Sequence, residues 1–317
     1  MIVTITMNAA LDRTVSVPNF QPGTRNRAIS AVELPGGKGV NVARSLKRLG
    51  IPVIATGLAG GSTGTAIIEG LTGEGILNDF VRIRAESRTS TAIIDPNGRQ
   101  TEVIEYGPEI TEDELGLFVE KLRFLARGAD MMVLAGSLPR GVDIGFYGVL
   151  QRELADAVFI AVDAQGPALR AALAAGPHLV SPNAREAEEI VGYEFSDVDD
   201  IAVAAQTLTD LGAAAAIIHH PDGCVARERH PDGKGGTAWS AVLEHRDVLT
   251  SVGSGDALLG GYVAAVSRGE SMEGRLRLAV ACGAANTLMP GAGVFDLADV
   301  EALARQVEIS HIGTPEG

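Results

Sequence analysis

Basic residues are in short supply in this sequence. Its 317 residues include 26 lysines and arginines against 40 aspartates and glutamates, which gives a formal net charge of −14. Such a surface disfavours contact with nucleic acids and anionic membranes, because both are bound through clustered positive charge. The charge balance therefore argues against functions on these partners, and a site for an anionic ligand must be a local group of basic residues.

Cysteines, aromatic residues and long apolar runs are also scarce. The only cysteines, Cys224 and Cys282, exclude a disulfide framework and suit a reducing compartment. No apolar run approaches the roughly 20 residues of a membrane span, and the first residues lack the basic segment of a secretory signal. Aromatic content is 4%, whereas 39 glycines and 46% hydrophobic residues are typical of a folded α/β protein. We expect a soluble, cytoplasmic protein.

Short apolar runs alternate with helical patterns along most of the chain, which predicts βαβ units around a parallel sheet. Residues 11–33 and 89–106 break this alternation and predict two β-ribbons, the second with a turn at Asp95-Pro96-Asn97-Gly98. Such ribbons typically form a lid or an oligomer contact. The predicted strands are 2–7, 52–56, 131–135, 157–163, 178–181 and 214–219; the predicted helices are 40–49, 62–74, 112–127, 183–192, 199–212, 256–267, 273–289 and 297–307.

The run Gly253-Ser254-Gly255-Asp256 precedes an apolar helical pattern. Small residues let backbone N–H groups approach an anion, and the helix adds the positive end of its dipole. Bound phosphates would repel Asp256, so we interpret it as a base that accepts the proton of a substrate hydroxyl during phosphoryl transfer. The alternative is an ordinary helix N-cap, where Ser and Asp are favoured.

Two further motifs each allow two interpretations. The glycine-rich turn around Lys38, followed by Asn41, is either an anion-binding turn or a flexible turn with a solvated lysine; it lacks the spacing of a Walker A loop. Asn183 and Glu186 lie on one face of a predicted helix start, where they either hold hydrated Mg²⁺ or form a capping box.

Basic residues at four positions are candidates for the local basic group, although charges on ribbons are usually only solvated. These are Arg25, Arg27, Lys38 and Arg88. His219 and His220 point to opposite faces of a strand and have no partner at metal-ligand spacing, which favours a structural or phosphate-proximal role.

Together the motifs resemble the PfkB/ribokinase family of carbohydrate kinases over residues 1 to about 305, and most of all its branch of 1-phosphofructokinases and tagatose-6-phosphate kinases. The motifs are Asn8-x-x-x-Asp12, Pro35-Gly36-Gly37-Lys38-Gly39-Val40-Asn41-Val42-Ala43-Arg44, Gly136-Ser137-Leu138-Pro139, Asp163-x-x-Gly166, Pro182-Asn183-x-x-Glu186 and Gly253-Ser254-Gly255-Asp256.

The resemblance implies a ribokinase-like three-layer α/β/α domain with a mostly parallel central sheet and a small β-sheet lid, dimeric through the lid. On this basis the α/β kinase domain covers 1–10, 34–88 and 107–310, the lid covers 11–33 and 89–106, and 311–317 form a C-terminal tail.

The resemblance also implies roles for individual residues, with ATP and Mg²⁺ as cofactors. Asp256 is the catalytic base, and Gly253, Ser254 and Gly255 form the anion hole. Asp12, Gly37, Asn41 and Ser137 contact the sugar, while Arg25, Arg27, Lys38 and Arg88 hold its existing phosphate. Asn183, Gly223, Ser251 and Asn286 bind the nucleotide, and Asn183 and Glu186 hold Mg²⁺ indirectly.

Three departures from the family pattern lie on the nucleotide side. They are Ser181 in place of lysine, the 218–223 loop without its serine and first glycine, and Ala164-Gln165 within the Asp163 motif. Loss of one phosphate contact costs roughly 1 to 3 kcal/mol, which weakens binding without abolishing it.

The leading hypothesis is therefore an ATP-dependent kinase of a phosphorylated ketohexose: fructose 1-phosphate, fructose 6-phosphate or tagatose 6-phosphate. A kinase of an unphosphorylated sugar or a nucleoside is one alternative, and a degenerate kinase that binds a sugar phosphate without turnover is another. A Rossmann dehydrogenase is disfavoured, because no G-x-G-x-x-G follows the first strand.

Overall fold

The computed structural model describes residues 1–95, 99–230, 235–244 and 248–312. Its strands are β1 (Ile2–Thr6), β2 (Ala10–Ser16), β3 (Ser30–Gly36), β4 (Val53–Gly60), β5 (Leu77–Asn78), β6 (Val81–Ile83), β7 (Arg88–Ile94), β8 (Gln100–Ile104), β9 (Met131–Ala135), β10 (Phe159–Asp163), β11 (Leu179–Val180), β12 (Ala215–His220), β13 (Gly223–Arg229), β14 (Gly236–Val242) and β15 (Glu308–Ile312). Its helices are α1 (Lys38–Arg48), α2 (Gly61–Gly73), α3 (Glu112–Ala126), α4 (Phe146–Leu154), α5 (Gly166–Leu173), α6 (Ala184–Val191), α7 (Val198–Asp210), α8 (Ser254–Ser267), α9 (Met272–Asn286) and α10 (Leu297–Ala304).

The larger sheet has eleven strands in the order β15-β14-β13-β12-β11-β10-β9-β1-β4-β5, with β6 paired to β4. The pairs from β5 to β12 are parallel, and β13, β14 and β15 are added in antiparallel fashion. The mostly parallel sheet predicted from the sequence is confirmed. Because the carboxyl ends of parallel strands meet at one edge, the loops after them form a common site.

Alternation along the strands directs side chains to two separate cores. On β9, Met131, Val133 and Ala135 pack into the core beneath α1, α2, α8, α9 and α10. Met132 and Leu134 pack into the opposite core, beneath α3 to α7. The sheet is thus covered on both faces, which gives the three-layer α/β/α architecture that the family resemblance implied.

The second sheet has four strands in the order β3-β2-β7-β8. It contains the β-stretches of both predicted ribbons, with β2 antiparallel to β3 and parallel to β7. Of the turn expected at 95–98, residues 96–98 lie outside the described residues, as do 313–317 of the expected tail. Several large apolar side chains are exposed on this sheet and its β2–β3 connection: Ile29, Val32, Val103 and Ile104.

The structure adds elements that the sequence analysis did not predict. These are α4, α5 and the strands β5, β6, β13, β14 and β15. Both cysteines are buried free thiols. Within the described part of the chain, no helix has the length and apolarity needed to cross a membrane.

Candidate active site

Helix α8 begins at the turn predicted to bind phosphate. Gly253 has a φ of 77°, and a Cβ at this position would lie 2.4 Å from that of Ala292, so only glycine fits. Asp256 lies in the first turn, with its side chain buried. The first N–H groups of a helix lack intrahelical partners and carry the positive end of its dipole. The turn from Gly253 to Gly255 is therefore suited to hold a phosphoryl group beside Asp256.

Asp256 is held by Asn41 of α1, whose Nδ2 donates to Oδ2 at 2.8 Å. Burial raises the pKa of this carboxyl, and the charge of Asp163 raises it further. Lys38 and the Asn41 hydrogen bond oppose both effects, and the resulting pKa is about 7. A carboxyl that ionises near neutral pH is suited to accept a proton from a hydroxyl group.

Lys38 is bound to two carboxylates at the start of α1. Its Nζ donates to Asp163 Oδ1 at 2.7 Å and to Glu186 Oε1 at 3.1 Å. Burial lowers the pKa of the ammonium, but the charges of Asp163, Glu186 and Asp256 outweigh this effect and raise it above its ordinary value. Lys38 is therefore a permanent cation on the Asp256 side of the site, and its contact with the existing phosphate of the sugar stays a prediction.

Asn183 and Glu186 form the capping box that the sequence left open. Asn183 Oδ1 accepts the Glu186 N–H at 2.8 Å, and Glu186 Oε2 accepts the Asn183 N–H at 3.0 Å. Among the described residues, no three His, Cys, Asp or Glu side chains are grouped to hold a metal ion. Each Glu186 carboxylate oxygen keeps a second lone pair that can accept a hydrogen bond from water. Glu186 is therefore better suited to bind Mg²⁺ through the water ligands of the ion than to bind it directly.

The predicted sugar-binding residues converge where the second sheet meets the α/β domain. Burial raises the pKa of Asp12 to about 6, while the charge of Arg88 and a hydrogen bond from the Gly37 N–H lower it. Arg88 Nε donates to the carbonyl oxygen of Asn8 at 3.2 Å. Asn8 Nδ2 in turn donates to Ser137 Oγ at 3.0 Å. The loops after β1 and β9 are thereby connected to the start of β7.

Two cavities adjoin near Asp256. The smaller one, about 170 Å³, lies beneath the second sheet and is lined by Asp12 and Asn41. The larger one, about 910 Å³, is lined by Lys38 and Asp256. Val252 lines both. Since Asn41 is bonded to Asp256, this pair stands at the boundary between the two cavities.

The larger cavity is lined by three of the four predicted nucleotide-binding residues, Asn183, Gly223 and Ser251. The fourth, Asn286, is corrected because its side chain is fully buried. Its Nδ2 donates to the Val252 carbonyl at 2.8 Å, and its Oδ1 accepts two backbone N–H groups from the loop after α9. Asn286 therefore joins two loops, and other residues of this segment line the cavity: Val280, Gly283, Ala284 and Thr287.

The basic group predicted for the sugar phosphate does not form within one chain. Arg25 and Arg27 are exposed in the connection between β2 and β3, beyond the last residue pair of these strands. Asp12 lies toward the opposite end of β2. Of the four predicted cations, only Arg88 lies beside Asp12.

Two residues outside the predicted site belong to it. Arg44 donates to Asn41 Oδ1 at 3.1 Å; its signal in the sequence is an arginine three residues after Asn41, and hence on the same face of α1. His219 packs against Gly255, where a Cβ would lie 2.5 Å from the ring. Burial and then Lys38 lower the pKa of His219 to about 4, so the ring is neutral at physiological pH. The structural or phosphate-proximal role of His219 stays a prediction.

The model of the pfkB family of carbohydrate kinases matches residues 2–297. This chain belongs to that family. The 1-phosphofructokinase of Borreliella burgdorferi is 30% identical over 315 residues, which cover 99% of this chain and all of that protein.

Solved structures agree with this assignment. Phosphofructokinase-2 of Escherichia coli, crystallised with substrates and products, has a TM-score of 0.88 at 29% identity and covers 96% of this chain and 98% of its own. A possible 1-phosphofructokinase of Thermotoga maritima has a TM-score of 0.88 at 26% identity and covers 99% of this chain and all of its own. Another structure of the Escherichia coli enzyme shows a tetrameric inhibited form. The chain is thus a phosphofructokinase-like sugar kinase.

Proposed function

We propose that this kinase transfers the γ-phosphoryl group of ATP to a hydroxyl of a phosphorylated ketohexose, with Asp256 as the base. The observation that carries the proposal is the position of Asp256, buried at the start of α8 where the two cavities adjoin. As the hydroxyl oxygen bonds to the γ-phosphorus, its proton passes to Asp256 and the bond to the bridging oxygen of ADP breaks.

The donor side of the site supplies positive charge for this transfer. The turn from Gly253 to Gly255 offers backbone N–H groups, and Lys38 offers a cation beside the same turn; both stabilise charge that develops on the phosphoryl oxygens. Bound Mg²⁺ would neutralise charge on the donor phosphates, with Asn183 and Glu186 holding its water ligands.

Arg88 supports a phosphorylated acceptor. Its guanidinium lies beside Asp12 and bonds to the carbonyl oxygens of Asn8 and Glu105, and within the described residues it forms no ion pair. A guanidinium with donors left over is suited to a phosphate group, and a neutral sugar has no use for it. The names of the relatives favour a fructose phosphate, with tagatose 6-phosphate as the alternative.

We also propose a homodimer formed through the second sheet. Ile29, Val32 and Ile104 are more than half exposed there, and an apolar face of this kind is suited to a second copy. Arg25 and Arg27 lie far along the sheet from Asp12 of the same chain, and we propose that in this dimer they contact the sugar phosphate bound by the second copy. A cytoplasmic location is proposed on the two free cysteines.

The test is ADP release from MgATP with each of the three hexose phosphates and with the free sugars, using the Asp256→Asn variant as the control. Turnover with one hexose phosphate that is lost in the variant supports the proposal. Turnover with a free sugar or a nucleoside alone would contradict it. Binding of a sugar phosphate without any turnover would indicate a degenerate kinase.

The Arg88→Ala variant tests how much the phosphate of the acceptor contributes to its binding. We expect KM for the sugar phosphate to rise at least about 10-fold, since a charge-assisted hydrogen bond is lost, with KM for ATP nearly unchanged. Arg82→Ala is the matched control, because Arg82 is an exposed arginine on β6 whose Nη2 donates to Thr65. An equal rise in both variants would contradict a phosphate-binding role for Arg88.

A further inference from the structure

Arg44 is the centre of a buried hydrogen-bond network beneath the reacting groups. Its side chain is 3% exposed. Nε and Nη2 donate to the two carboxylate oxygens of Glu74, and the remaining donations go to Asn41 Oδ1 and to the carbonyl oxygens of Pro35 and Ala292. A guanidinium has five N–H groups, and all five have acceptors here. Arg44 is therefore held rigidly, with its charge balanced by Glu74.

The Asn41 amide is bonded on both sides, and its partners decide which way it faces. Arg44 can only donate, so it requires the amide oxygen at 3.1 Å from Nη1. The amide nitrogen is then directed at Asp256 Oδ2, at 2.8 Å. The reverse orientation would set nitrogen against guanidinium and oxygen against carboxylate. Arg44 thus makes Asn41 a hydrogen-bond donor to the carboxylate.

We propose that Arg44 is a positioning residue: by fixing the orientation of the Asn41 amide, it keeps Asp256 in the ionised form in which it accepts the hydroxyl proton. Arg44 forms no hydrogen bond with Asp256 among the described residues, so this effect passes through Asn41. The charge of Arg44 also lowers the pKa of Asp12, and a lysine at position 44 keeps that charge. The inference rests on the proposed role of Asp256 as the base.

Other charged groups face Asp256 and set the background for this effect. Asp163 at the end of β10 and Asp12 on β2 favour its protonated form, whereas Lys38 at the start of α1 favours its ionised form. His219 on β12 packs against the neighbouring Gly255. The hydrogen bond from Asn41 favours the ionised form of Asp256, whereas burial and the two aspartates favour the protonated form. If this bond is lost, the pKa of Asp256 rises further.

The test is the pH dependence of kcat/KM in Arg44→Lys, which keeps the charge beside Glu74 but cannot serve all five acceptors. In the wild-type enzyme, the fall of kcat/KM toward low pH, which is the acid limb of the profile, should follow the ionisation of Asp256. In the variant, Asn41 is released to rotate, so the limb moves to higher pH. We expect the ratio of kcat/KM at pH 6 to that at pH 9 to fall about threefold or more. Loss of stability alone would lower both values and leave the limb in place.

Arg48→Lys is the matched control. Arg48 lies one turn later on α1 and donates to the Phe295 carbonyl at 2.9 Å, so it shares the helix and the type of bond without contacting Asn41. Its acid limb should not move. Asn41→Leu should move the limb as Arg44→Lys does, and the double variant should move it no further than Asn41→Leu alone.

Three results would overturn the proposal: an unmoved acid limb in Arg44→Lys, an equal shift in Arg48→Lys, or additive shifts in the double variant. If Arg44→Lys does not fold, Glu74→Gln replaces it, because the Glu74 carboxylate is 24% exposed and anchors two of the five donors; an unmoved limb there also overturns the proposal. Asp256→Asn separates the two claims, since normal turnover in that variant refutes the base itself.

Discussion

Replacing Asp256 by asparagine should remove activity and change how stability depends on pH. Asparagine has nearly the same shape and keeps an oxygen that accepts from Asn41, so the fold should be retained. Loss of a general base lowers kcat by at least about 10²-fold. The ionised form of this carboxyl also destabilises the folded protein, because burial favours the protonated form and raises the pKa from 3.8 to about 7.

The size of that cost follows from the pKa difference between the folded and unfolded chain. A folded-state pKa above the unfolded value gives stability that is fully present below about pH 4 and is lost as the pH rises through about 7. The corresponding free energy is at most about 4 kcal/mol, or about 6 °C in melting temperature for a chain of this length. Asparagine does not titrate, so the variant avoids this loss.

Melting temperatures of both proteins without ligands, measured at pH 5 and at pH 8, test this reasoning. The melting temperature of the variant, relative to that of the wild-type protein, should be several degrees higher at pH 8 than at pH 5. Asp12 titrates in both proteins, so its contribution largely cancels in the comparison. A melting-temperature difference that is equal at pH 5 and pH 8 would refute the raised pKa, and retained turnover would refute the base.

Three further outcomes are expected. Lys38→Met removes the cation beside Asp163 and should lower kcat at least about 10²-fold in the same ADP-release assay; a change confined to the KM of the sugar would contradict this placement. Gly255→Ala would set a Cβ 2.5 Å from His219, so we expect poorer MgATP binding by calorimetry, restored in part when His219 is also replaced by alanine. Ile104→Asp should convert the proposed dimer to monomer in sedimentation experiments, and an unchanged mass would place the contact elsewhere.

The fold was largely predictable because local patterns and tertiary contacts agree. The run 131–135 is apolar throughout, as expected for a strand covered on both faces, and it forms β9 within those bounds. Thr111 and Glu114 form the capping box at which α3 begins, close to the predicted start. By contrast, β15 owes its pairing with β14 to distance in sequence, since Ser240 pairs with Ser310, and no local pattern shows such a register. The strands β13 and β14 pair with their neighbours along the chain and were missed although these contacts are local.

The site was less predictable for a similar reason. Motif spacing identified Asn41 and Asp256, but it carries no information on which way a side chain points. The Lys38 side chain points toward Asp163 because a carboxylate stands there, at the end of a strand, 125 residues away in sequence. The family resemblance implies that Asn286 binds the nucleotide, whereas its amide is bonded to buried backbone groups.

The connection between β3 and α1 bears on how this family can diverge and be engineered. A single residue, Gly37, separates the last residue of β3 from Lys38, and Arg44 holds the Pro35 carbonyl within the same network as Asn41. The four-stranded sheet is therefore not an interchangeable module. A chimera that took this sheet from a relative would carry the alignment of α1 with it, so acceptor preference and transfer chemistry are inherited together.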